Sequence, residues 1–258
     1  RQQLGQFRPE YALNSRPHAE MPNDFYRTAL TIFYLLRDMK PGFVIADLVS
    51  KKAYKTILDL ISKRPVITDK FPYIDFDRTW KALNSKFLSP RPCDLCWRLA
   101  HHVLPVNSYL FHLHINRNAL CPFCRWPETL THRFFSCRAV RPLWKIVESW
   151  ASAAAGFPIT VSADTVVFMQ KTNTGGNEDM LAILTSELNY AIWTQRNRLK
   201  YEKKNPNTAD IKSLFEHFVR TRILADHLRL DTDVFARLWC SGQPPLATAV
   251  GQNVVVNI

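Results

Sequence analysis

Cys121 and Cys124 stand three positions apart, His132 follows after seven intervening residues, and Cys137 after four more. The pattern C-x2-C-x7-H-x4-C places three thiols and one imidazole within seventeen residues. Zinc takes four soft or borderline ligands at the corners of a tetrahedron. A C-x2-C pair offers one edge of that tetrahedron from a tight turn. His132 and Cys137 offer the other once the chain folds back. All four corners are then protein groups, no position is left for a reactive water, and the ion is structural.

The other thiols fit this scheme less well. Cys93 and Cys96 form a second C-x2-C pair, and an all-thiolate site with Cys121 and Cys124 has acceptable spacing. Cys96, however, belongs to an apolar helical stripe, so the pair reads as buried structural cysteine. Cys240 has no partner. His101, His102, His112 and His114 surround the region, but none has an acid or nucleophile at a telling spacing. No secretory pattern occurs in the first thirty residues, and a reducing compartment favours metal over disulfide.

Helices must position these ligands. Apolar residues recur at helical spacing from Phe25 to Leu36, from Ser50 to Lys63, and through Asp75–Phe87 with Trp80 and Leu83. From Pro92 to Leu104 the stripe is Cys96, Leu99, Ala100 and Val103. A short helix is expected at Ser108–Ile115. Val140, Trp144, Val147 and Trp150 make another, ending near Gly156. The longest run extends from Glu178 to Lys204, striped by Leu181, Leu184, Leu188, Ile192 and Leu199. Pro206 ends it, and a helix opening at Asn207 carries Ile211, Phe215 and Phe218. A last short helix holds Phe235 and Trp239. The tail beyond Arg237 is uncharged, and its Val254–Val256 run is the strand-like signal of note. The fold class is mainly α, a multi-helix domain with a small embedded CCHC zinc-binding module. Four segments are expected: helical 1–90, zinc-binding 91–160, helical 161–240, and an uncharged tail 241–258.

The chain has 258 residues, 47% hydrophobic and 22% charged, a globular composition. No apolar run approaches the ~20 residues that span a bilayer. It begins with Arg1 and reads as a piece of something longer. The formal charge is +12, which favours a polyanionic partner. That charge is uneven. Arg117, Arg125, Arg133, Arg138, Arg141 and Lys145 face only Glu128 between positions 117 and 145, a net +5. Arg196, Arg198, Lys200, Lys203 and Lys204 face only Glu202, a net +4, whereas 147–195 carries a net −4. Trp126 interleaves with the first patch and suits base stacking, while Phe134 and Phe135 suit the small core of a zinc module. Cations closing the long helix also complement its dipole.

The run Asp94–Leu110, with Trp97, Arg98, Leu99, His101 and Pro105, leads into Cys121 and Cys124. Glu128, Thr129, His132, Phe134, Cys137 and Trp144 follow, and later come Ile192, Trp193, Arg196 and Asn197. Over about residues 50–205 this resembles the region downstream of the polymerase domain in non-LTR (LINE-type) retrotransposon reverse transcriptases. The resemblance implies a zinc-bearing segment that helps hold template RNA and target DNA during target-primed reverse transcription. It also implies the rest of a reverse transcriptase as partner, and a nuclear or cytoplasmic ribonucleoprotein setting. No Asp-Asp dipeptide and no endonuclease-like arrangement is found, so this chain is expected to be non-catalytic, with no small-molecule substrate. A rival reading is a zinc-braced helical protein-interaction module, perhaps a host-captured retroelement remnant. An enzymatic reading rests only on scattered His and Cys residues.

Overall fold

The computed structural model describes residues 66–170, 177–202, 207–250 and 253–258. The helices expected at Phe25–Leu36 and Ser50–Lys63 lie outside these, as do Lys203 and Lys204. Nine α-helices are described: α1 Val66–Lys70, α2 Phe76–Leu83, α3 Pro90–Ala100, α4 Asn107–His112, α5 Arg141–Ala155, α6 Ala163–Phe168, α7 Glu178–Tyr201, α8 Thr208–Arg229 and α9 Thr232–Phe235. Two π-helical turns, His132–Ser136 and Ala236–Cys240, and a hairpin of β1 Ala247–Val250 and β2 Asn253–Val256 complete it. Local chemistry sets several ends. Asp75 caps α2 by accepting the Arg78 amide, and Asn207 caps α8 by accepting that of Ala209. Pro90 opens α3, where its missing N–H costs nothing. Gly156, at φ +78°, closes α5 in the left-handed conformation that glycine adopts without a Cβ penalty.

The long α7 is the centre. It packs against α8, α3 and α5, and its stripe Leu181, Leu184, Leu188 and Ile192 is buried, with Leu199 half-buried. Burial extends to polar residues on its other sides, and these are paired. Asn189 donates to the Val166 carbonyl, Ser186 to that of Ile183, and Gln195 to Asp210. One apolar cluster runs from Ile67 to Ala247 and takes in α3, α5, α7 and α8. The core is therefore continuous across the expected borders at 90/91 and 160/161. Residues Pro65–Ile258 form one unit.

α1, α6 and the π-helical turn at His132–Ser136 were not among the expected elements, and two further elements differ from expectation. α3 stops at Ala100, so Val103 leaves the stripe and is exposed; His102, at φ 57°, turns the chain away. β1 has no clear apolar alternation, but it pairs antiparallel with β2 in register Ala247↔Val256 to Val250↔Asn253. Val254 and Val256 alternate inward, β2 lies against α8, and Arg220 Nη2 donates to the Ile258 carbonyl at 2.7 Å. The uncharged tail is thus part of the same unit.

A buried polar cluster joins α3, α7 and α8. Asp226 accepts from Arg222 Nε at 2.8 Å, Arg229 Nη2 at 2.8 Å and Trp239 Nε1 at 3.1 Å. Beside it, Glu187 accepts from Ser89 Oγ at 3.1 Å. Burial pushes the Glu187 carboxyl up to about 7, with Asp226 adding to it, against the opposing Ser89 hydrogen bond and Arg222. The folded state therefore holds a proton that the unfolded chain releases near pH 4.5. Stability from this group falls as pH rises from about 4.5 to about 7, by on the order of 2–3 kcal/mol. Glu187→Gln is expected to remove that decline. Unfolding free energies of both proteins between pH 5.5 and 8 check it, because their difference isolates Glu187; parallel curves would contradict the assignment.

Candidate metal centre

Residues 119–128 fold into a tight hairpin that presents the first two ligands. Glu128 N–H donates to Ala119 O at 2.8 Å, Leu120 bridges Pro127, and Cys121 N–H donates to Trp126 O at 2.7 Å. Arg125 N–H returns to Cys121 O at 3.0 Å, with Arg125 in the left-handed region at φ 66°. The π-helical turn presents the other two. Cys137 N–H reaches His132 O at 2.8 Å, an i to i+5 bond that spans the four-residue gap between the ligands. Thr129 Oγ1 accepts from the His132 amide. Below the turn, Phe134 O accepts from Trp144 Nε1 of α5 at 2.7 Å. Phe134 is buried, as expected of a module core.

The ligand atoms converge. Cys121 Sγ is 3.8 Å from Cys137 Sγ, Cys137 Sγ is 3.9 Å from Cys124 Sγ, and Cys124 Sγ is 3.1 Å from His132 Nε2. All four lie within 4.8 Å of one another. A tetrahedral ion with 2.3 Å bonds to sulfur requires S···S edges of about 3.8 Å. The two edges at Cys137 thus match a zinc tetrahedron, and the soft donor set suits zinc over an oxygen-seeking cation. Cys121 and Cys137 are buried, and Cys124 and His132 half-buried. The contact with Cys137, opposed by burial and aided by the Arg133 guanidinium, holds the Cys121 thiol well below its ordinary range, and the same contact pushes that of Cys137 up. A thiolate is the form a metal needs.

The rival thiolate set is separated by the fold. Cys96 is fully buried in the α3–α7 interface, where Asn189 Nδ2 donates to its sulfur, and Cys93 Sγ donates to Leu83 O. Burial pushes the Cys96 thiol up to about 12. Among the described residues, these two join no metal-competent cluster. His101 stacks on Trp80, and His102 packs on Phe71 and Phe168. Both are structural.

The basic residues divide. Arg117, Arg125, Arg138, Arg141 and Lys145 are exposed around the module, and Trp126 is 69% exposed at the hairpin tip. Arg138 Nη2 also reaches Phe123 O, and Lys145 pairs with Glu148. Arg198 and Lys200 are half-buried on the last turns of α7. Two expected surface contacts are corrected. Arg133 is 0% exposed and Arg196 is 2% exposed, so neither guanidinium can reach a phosphate in solution. Both converge on Glu128, itself fully buried. Arg133 Nε and Nη2 contact Oε1 at 2.8 and 2.6 Å, Arg196 Nη2 lies 3.4 Å from Oε2, and the Asn107 amide donates to Oε2 at 2.7 Å. Arg133 Nη2 also points to Cys121 Sγ at 3.6 Å, and its plane lies over Phe123. Trp193 stacks on Phe134 at 6.0 Å and lies against Arg196. The Trp193–Arg196 pair therefore docks α7 onto the zinc module. In the sequence Glu128 stands as a lone acid among cations and as part of the motif that carries the resemblance, and neither sign reveals this buried role.

It also missed an apolar surface: Tyr109, Phe111, Leu113, Ile115 and Leu120 are exposed beside the module.

Comparison with known proteins agrees with this geometry. Residues 50–144 match a family described as zinc-binding in reverse transcriptase. A further similarity is to the transposon TX1 uncharacterized 149 kDa protein of Xenopus laevis, 29% identical over 150 residues. That match covers 57% of this chain and 11% of the relative, so the chain spans about a tenth of its length. No solved structure matches. Among the described residues no helix is long and apolar enough to cross a membrane. Ligand spacing, the folded Cys3His cluster and these matches together support a zinc-binding region of the kind associated with retrotransposon reverse transcriptases.

Proposed function

We propose that this chain is the zinc-stabilised, nucleic-acid-holding C-terminal part of a LINE-type reverse transcriptase, gripping template RNA and target DNA during target-primed reverse transcription. The observation that carries the reading is the exposed Arg125–Trp126 tip on a hairpin held by the metal ligands, with Arg138 reaching Phe123 of that hairpin and Arg117, Arg141 and Lys145 also exposed. Guanidinium groups there suit phosphates, and the indole suits an unpaired base. Arg198 and Lys200 at the end of α7 extend the surface, with Lys203 and Lys204 following in sequence. The chain itself carries no part of the reaction in this reading; it positions substrate for a polymerase elsewhere in the parent protein, in a nuclear or cytoplasmic ribonucleoprotein.

The test is binding to single-stranded RNA and DNA across a salt series. Log affinity is expected to fall linearly with log salt. Arg117→Glu, Arg138→Glu and Arg141→Glu together are expected to flatten the slope by about 2, near 0.7 per lost phosphate contact. Trp126→Ala is expected to cost about 1–3 kcal/mol without changing the slope. Affinity indifferent to salt would falsify the reading. The second reading, a protein-interaction module, is favoured by the exposed Tyr109, Phe111, Leu113 and Ile115. It predicts that the triple charge reversal leaves function intact.

A further inference from the structure

Beneath the four ligands lies a cluster of three charged side chains that water does not reach. Glu128 and Arg133 are 0% exposed, and Arg196 is 2% exposed. A buried charge persists only where a partner compensates it. Here two guanidiniums share one carboxylate, an excess of one positive charge, and one nitrogen of the excess, Arg133 Nη1, has no hydrogen-bond partner. The other, Nη2, sits 3.6 Å from Cys121 Sγ. A divalent zinc ion on three thiolates and a neutral imidazole carries a net charge of −1. The loaded centre and the cluster therefore sum to zero. Lys200, further along α7, is half-buried; burial and then Arg196 lower the pKa of its ammonium, while Glu128 raises it.

We infer that Arg196, which touches none of the four ligands and lies far along the chain on α7, is a determinant of zinc affinity. It acts as a positioning and counter-charge residue, relayed through Glu128 to Arg133 and so to the Cys121 thiolate. The same linkage runs in reverse: an occupied centre favours the seat of Arg196 against Pro105 O at 2.7 Å and Asn107 Oδ1 at 3.2 Å, and so the docking of α7 on the module. The Trp193–Arg196 pair is then the structural reader of metal occupancy.

The test is zinc affinity of the full chain, measured by competition with a chromophoric chelator, with cobalt substitution reporting the tetrahedral thiolate spectrum. Arg196→Met is expected to weaken zinc binding about 10–100-fold, the range for groups that support metal ligands from outside. Arg196→Lys keeps the charge and is expected to recover most of that loss. The decisive protein is Glu128→Gln with Arg196→Met, which has fewer hydrogen bonds than either parent but restores the balance of one buried cation against the loaded centre. It is expected to bind zinc within about threefold of the unaltered chain, a clear departure from additivity. A purely structural role predicts losses that add, and an additive or larger loss in the double variant overturns the inference. So does Arg196→Met binding zinc as tightly as the unaltered chain. Should Arg196→Met alone fail to fold, the charge-balanced double variant still decides: tight binding supports the inference and weak binding refutes it.

Discussion

Cys121→Ser is expected to lower bound zinc from one ion per chain to well below one and to unfold the module between about residues 107 and 140. Serine oxygen is a poor substitute for thiolate, and Cys121 has no freedom to be replaced by a neighbour. Its sulfur is fully buried, 3.8 Å from Cys137 Sγ, and its backbone closes the hairpin through Trp126 O and Arg125 N–H. Structural zinc contributes about 10–16 kcal/mol in isolated finger peptides, comparable with the whole stability of an ordinary domain. The damage is expected to stay local, because α3, α7 and α8 meet through Leu95, Leu99, Leu184, Leu188, Phe215 and Val219, none of which needs the metal. Metal analysis together with amide hydrogen exchange checks both halves. Protection is expected to vanish at the Cys137 amide and to persist in the middle turns of α7. Cys240→Ser, outside the cluster, is expected to keep one zinc per chain. A Cys121→Ser protein that retained its zinc and its protection would remove the assignment of this ligand.

Glu128→Ala is the other large effect, about 3–5 kcal/mol of destabilisation in saturating zinc. The cost comes from what remains, not from the missing contact. Two buried guanidiniums lose their carboxylate, and the Asn107 amide loses its acceptor at the start of α4. An exposed acid in a basic patch would contribute less than about 1 kcal/mol, so the magnitude separates the two descriptions of Glu128. Denaturant unfolding reads it as a lowered midpoint at unchanged slope. A shift below about 1 kcal/mol would show that the triad does not hold the module to α7.

Much of the fold was legible because helices announce themselves locally. Leu181, Leu184, Leu188 and Ile192 repeat at the period of an α-helix whatever they pack against, and Asn207 and Gly156 mark ends through their own backbone preferences. Val103 was misplaced because periodicity continues past the point where a helix stops, and the left-handed turn at His102 has no glycine to signal it. β1 escaped notice because its pairing with β2 is what makes it a strand. The same limit misled the reading of charge. Arg133 and Arg138 are identical letters five positions apart, yet one is interior and the other exposed.

By itself the sequence singled out the four donors that the fold brings within 4.8 Å of one another. Four donors within seventeen residues can meet around one ion through short-range turns alone, so residue type and spacing carry the information. It also determined the mainly helical class and the excess of positive charge. Only the tertiary structure decided which of those charges face solvent. The pairing of Glu128 with Arg196 joins residues 68 positions apart, and no local pattern encodes it. Whether a guanidinium is a phosphate clamp or an internal counter-charge depends on what packs above it, and that is settled only when α7 closes over the zinc module.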